Sequence, residues 1–167
     1  MMTAQHPRPT RLTPEAALRA AQGIAEELFR AGHIEQRELE DAAKDIAKHA
    51  GRHMDGYELA KTLDSYARWD CNLEMAEVLD GFSSTADEEI KAAQQEWATA
   101  HNIQPPFPVG THVIARWGGQ DYCGTIDEIY RHGVAQYAVK ADGETGSSRM
   151  IVNFENVRAI DVAGESS

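Results

Sequence analysis

Histidine, cysteine and carboxylate side chains carry most catalysis and metal binding, and this 167-residue chain offers a few in suggestive spacing. Asp45, His49 and His53 recur every four residues, so a continuous helix would stack them on one face. Two histidines so spaced bind zinc when a third ligand joins them, as in HExxH helices. Here Ala50, Gly51 and Arg52 lie between them, and Gly51 is expected to end the helix. A solvated polar face is the better expectation. Cys71 stands in a Trp-Asp-Cys-Asn helix junction, and Cys123 in a strand interior that would point it inward. Neither belongs to a CxxC pair, and neither has a local histidine to activate a thiolate. Gly118-Gly119 lacks the following Lys-Ser/Thr of a phosphate loop, and His112 and His132 stand alone. No catalytic residue, metal site or cofactor is expected, and the chain reads as a non-enzyme.

Charge narrows the partners. There are 27 acidic residues against 16 Lys+Arg, a net charge of −11. Residues 1–108 hold 11 basic and 19 acidic side chains, and residues 109–167 hold 5 and 8. Neither part is basic, which disfavours sequence-independent binding to phosphate backbones. A local patch of Arg116, Arg131, Lys140, Arg149 and Arg158 would need folding to gather it. The acidic helices could meet a basic protein surface or imitate nucleic-acid charge, with plain solvation as the default. No run approaches the ~18 apolar residues of a membrane span. The opening MMTAQHPRPTRLTPE lacks the apolar core of a secretory signal. The expected location is cytoplasmic, with both thiols reduced.

The elements that must position any site divide by composition. Residues 1–12 read as a flexible tail, and 13–102 as an α-helical domain rich in Ala, Glu and Leu. Pro105, Pro106 and Pro108 mark a linker over 103–110, a barrel is expected over 111–161, and 162–167 form a second tail. Thr13 and Pro14 suit an N-cap and first helical position, with Leu18, Ala21, Ala25, Leu28 and Phe29 on one stripe. A second helix is expected over about 34–50. A third follows Asp55, whose capping-box partner is Glu58, and buries Leu59, Leu63, Tyr66 and Ala67. A short helix over about 73–80 precedes one starting at Thr85, with Glu88 reciprocating the cap and Ile90, Ala93, Trp97 and Ala100 inward. Such short helices need neighbours to be stable, which suggests a bundle. A sharper alternative leaves an apolar face, including Phe82, open for a partner helix.

Beyond Gly110 the pattern changes to short alternating strands with glycine turns. Residues 111–117 place Val113, Ala115 and Trp117 on one face and Ile114 and Arg116 on the other. Gly118–Asp121 is a turn, and 122–130 is a strand whose internal Gly124 indicates a bulge or close packing. Strands over 134–141, 149–152 and 157–160 complete the set. Five short strands suit a small, strongly bent barrel that removes reactive edges.

The run Val-Ile-Ala-Arg-Trp-Gly-Gly-Gln-Asp-Tyr-Cys-Gly-Thr-Ile, then Ala-Val-Lys-Ala-Asp-Gly and Phe-Glu-Asn-Val, resembles the Tudor domains of polycomb-like chromatin proteins. The resemblance covers residues 109–160 and implies a five-stranded Tudor/SH3-like barrel. It also implies an aromatic cage for methylated lysine, a cation whose weak hydration suits π faces. Trp117 and Tyr122 match two cage positions, Asp142 falls where an acid would sit near the cation, and Met150 would be an apolar wall. The pattern departs where Lys140 and Met150 replace cage rings and where the first turn is one residue shorter. Packing is the competing role for barrel aromatics, and Tyr130, Tyr137 and Phe154 are assigned to it.

The sequence therefore indicates an α+β protein with an N-terminal helical bundle and a small barrel, acting as a non-catalytic interaction or adaptor protein. Its expected partner is a protein or peptide, with the helices adding a second contact or oligomerisation. The alternatives are a nucleic-acid-associated regulator and an acidic inhibitor of a nucleic-acid-binding complex.

Overall fold

A computed structural model describes residues 6–160, and the expected tail over 162–167 lies outside them. Among the described residues five α-helices precede five strands, an α+β architecture. The chain parts into two compact units: residues 9–93 form one, and residues 94–160 with 6–8 form the other. The second division falls inside a helix rather than in the proline-rich stretch over 103–110.

In the helical unit, α1 (Pro14–Arg30) starts as its residues dictate: Thr13 Oγ1 accepts the Ala16 N–H at 3.1 Å, and Pro14 fills the first position. Its buried stripe is Ala16, Ala20, Ala21, Ile24, Ala25 and Leu28, while Phe29, expected inward, is exposed. α2 (Leu39–His49) begins later than expected, because a 3-10 turn over Gln36–Glu38 is capped at Glu35. α3 (Gly56–Ala67) is capped by Asp55, which accepts the Glu58 N–H at 2.8 Å. It buries Leu59 and Leu63 but leaves Tyr66 outside.

α4 (Leu73–Leu79) is capped by Asn72, and α5 (Phe82–Ala100) follows almost at once. The start expected at Thr85 is corrected by one turn. Thr85 lies within α5 and donates its hydroxyl to Gly81 O at 3.0 Å. Phe82 supplies the reason, since its ring is 1% exposed and belongs to the core with Ile24, Leu28, Ile46, Leu63 and Leu79. It is therefore no part of an open face.

In the other unit the strands are β1 (His112–Trp117), β2 (Gln120–Ile129), β3 (Gln136–Ala141), β4 (Met150–Asn153) and β5 (Val157–Ala159). They form a curled antiparallel sheet, a half-barrel, in the order β4-β3-β2-β1-β5. Only Gly118 and Gly119 separate β1 from β2, at φ 60° and 82°. This two-residue turn with both residues left-handed matches the twist of the strands it joins. Gly124 is a point of close approach, because a Cβ there would lie 2.6 Å from Lys140 O. The irregularity in the β2–β3 ladder falls between Ile126 and Glu128 instead. One core gathers Val113, Ala115, Ile126, Tyr137, Val139, Met150, Val152, Phe154 and Val157. Ile103 and Phe107 pack against it. Tyr137 fixes that approach, donating its hydroxyl to Phe107 O at 2.6 Å and accepting from Phe107 N at 2.9 Å.

Candidate functional site

The β1–β2 hairpin brings Trp117 and Tyr122 together. Tyr122 stands opposite Ala115, and Trp117 is the next residue of the same parity, so both follow the core-facing side of the sheet. The core ends at Ala115, and the two rings lie beyond it. Trp117 is 46% and Tyr122 36% exposed, while Ala115 and Val113 are fully buried. The ring centroids are 6.1 Å apart at 67°, an edge-on rather than stacked arrangement. Tyr122 donates its hydroxyl to Gln120 Oε1 at 3.2 Å.

The other two residues expected at this site lie elsewhere. Asp142 continues the ladder opposite Cys123, donating its N–H to Cys123 O at 3.0 Å. That position has outward parity, and its carboxylate meets His112 Nε2 at 2.8 Å. Met150 is in the core of the strand-bearing unit, opposite Val139 and 7% exposed. Lys140, opposite Thr125, also has outward parity. The expected four-residue constellation is thus a pair of rings, with Asp142 on the other face and Met150 inside. Cys123 is exposed rather than inward, because Gly124 takes the core-facing place.

The basic residues of this unit are largely met by acids. Arg116 Nη1 and Arg158 Nη2 both reach Asp121, at 3.2 and 3.1 Å. The hydrogen bond from Arg158, with the charges of both guanidinium groups, holds the Asp121 carboxyl below its ordinary range. Arg149 donates to Asp127 at 2.9 Å. Three members of the expected basic patch therefore face carboxylates.

In the helical unit the Asp45–His49–His53 stack does not form. Ala50 is extended, so α2 ends at His49, whose ring stacks on Tyr66. Asp45 instead accepts the Trp69 indole N–H at 2.9 Å, beside a cavity of about 430 Å³. Among the described residues no group of three His, Cys, Asp or Glu side chains could hold a metal ion. Burial, with Asp64 and Asp70 adding to it, pushes the Cys71 thiol up to about 12, away from nucleophilic use. No described helix is long and apolar enough to cross a membrane.

Arg8 was missed by sequence reasoning. It lies in the stretch expected as a flexible tail, yet its side chain is only 4% exposed. Its partners are more than 80 residues away along the chain. A lone arginine between Pro7 and Pro9 is the only local signal.

Compared with family models, curated proteins and solved structures, the chain matches none.

Proposed function

We propose that this chain is a non-catalytic interaction protein whose strand-bearing unit is a Tudor/SH3-like barrel, and that it takes a peptide or cationic side chain between Trp117 and Tyr122. The observation that carries this reading is the pair itself: two large rings of core-facing parity, placed past the last core layer and half open to solvent. A cation over an aromatic face gains about 0.5–1 kcal/mol at an exposed site and about 2 when desolvated. Two partly open rings then support a weak, transient partner. Asp142 and Met150 take no part in this version of the site, so selectivity rests on the rings and on groups the partner brings.

The nucleic-acid reading is less well supported, since Arg116, Arg149 and Arg158 already face Asp121 or Asp127. Affinity capture from nuclease-treated lysate of the source cell tests both readings. The wild-type chain should retain a protein that Trp117→Ala loses. Equal capture by the variant overturns the site, and capture that disappears with nuclease alone favours the nucleic-acid reading.

A further inference from the structure

We propose that the strand-bearing unit contains an arginine-binding pocket, filled here by the chain's own Arg8, that accepts an arginine from a proline-flanked segment of another chain. The site is separate from Trp117 and Tyr122 and does not depend on their role. Its walls recognise a guanidinium in three ways. Arg8 Nε donates to Glu155 Oε2 at 2.7 Å and Nη2 to Oε1 at 3.0 Å, a two-pronged match to a carboxylate. Nη1 donates to Val134 O at 2.6 Å and Nη2 to Ala135 O at 2.8 Å. The guanidinium carbon lies 5.0 Å from the Trp97 ring centroid, within cation–π range.

The walls are preset. Ala135 adopts φ 51°, a left-handed conformation that costs a non-glycine residue energy and concentrates at ligand clamps. Its carbonyl is shared between the Phe154 N–H, at 2.9 Å, and Arg8. The filler, by contrast, belongs to no helix or strand. Residues 7–10 carry no regular structure, and Pro7 and Pro9 have no N–H to give. The segment is also held at His6, whose O accepts the Trp97 indole N–H at 2.9 Å and whose ring stacks on His101 with centroids 3.9 Å apart, and at Thr10, whose O accepts from Arg52 Nη1 at 3.4 Å. A segment outside helix and strand inserting one long side chain into a preset pocket is how a peptide ligand binds, and the same chemistry on another chain can replace it. Lysine cannot, because a compact ammonium lacks the planar fork that spans carboxylate and carbonyls together.

The test is calorimetric titration of the full chain with the capped tripeptide acetyl-Pro-Arg-Pro-amide, alongside its Pro-Lys-Pro counterpart. The Trp97 indole N–H resonance is followed in parallel. Arg8→Ala should bind the arginine peptide at least tenfold more tightly than wild type, at least tenfold more tightly than the lysine peptide, and with a shift at Trp97. A folded Arg8→Ala that binds no better than wild type overturns the proposal, as does equal binding of the lysine peptide. If Arg8→Ala does not fold, Arg8→Lys is titrated under the same criteria. Failure of both variants to fold makes Arg8 a structural anchor and also overturns it.

Discussion

Tyr137→Phe removes a single oxygen from the strand-bearing unit and leaves the ring that packs 4.5 Å from Phe154. That oxygen both donates to and accepts from the Phe107 backbone, tying the proline-rich stretch to the sheet. Each lost hydrogen bond is worth about 1 kcal/mol, and a buried group left unpaired costs about 1–3 kcal/mol. Phe107 is half-buried, so water satisfies part of that demand. The expected loss is about 2–3 kcal/mol, read by urea denaturation with near-ultraviolet circular dichroism. The pH dependence supplies an independent check. Burial pushes the Tyr137 hydroxyl above its ordinary value, opposed in part by the bond to Phe107. A group raised in the folded state contributes fully below its unfolded value, about 10, and loses that contribution as pH rises beyond it. Phenylalanine has no such term, so the gap between wild type and variant should narrow above pH 10. A loss below about 0.5 kcal/mol at pH 7, or a gap that widens with alkali, would show that the Tyr137 hydroxyl does not hold Phe107 to the sheet.

Two further outcomes follow from close packing and burial. Gly56 opens α3 against α4, and an added Cβ would collide with Ala76 O and lie 2.6 Å from Asp80 N, both backbone atoms. Gly56→Ala should therefore destabilise the helical unit by about 2 kcal/mol, despite alanine's better helix propensity, as a lower thermal midpoint. Cys71, with its thiol pushed up to about 12, should react with iodoacetamide far more slowly than a free thiol at pH 8. Since the thiolate is the nucleophile, the retardation should be on the order of 100-fold or more, read by mass spectrometry after timed quenching.

The legible parts of this fold were those fixed by neighbours in sequence. Thr13 with Pro14, and Asp55 as the N-cap of α3, act where local capping chemistry places them. The alternation of Val113, Ala115 and Trp117 likewise gave the strand faces. Thr85 misled because it is an adequate cap, but burying Phe82 extends α5 back by a turn. The candidate site was legible only within one hairpin. Trp117 and Tyr122 are joined by a two-residue turn, so their common face follows from short-range geometry. Asp142 depends on the register of β3 against β2, and a one-residue change of parity puts a side chain on the other face. Met150 follows a long turn, and its pairing with Val139 inside the core is likewise a long-range outcome. Arg8 is the extreme case, with a carboxylate partner 147 residues away.

Trp117 and Tyr122 are proposed to form a face for a cationic side chain. The decisive measurement is titration of the isotopically labelled 167-residue chain with tetramethylammonium, against neutral neopentyl alcohol of similar shape. Saturable shifts at the Trp117 indole and Tyr122 ring are expected with the cation alone, with affinity read at Tyr122 weakened about 5- to 30-fold in Trp117→Ala, as the loss of about 1–2 kcal/mol requires. Shifts of equal size with the neutral alcohol, or cation binding unchanged in Trp117→Ala, would contradict this role.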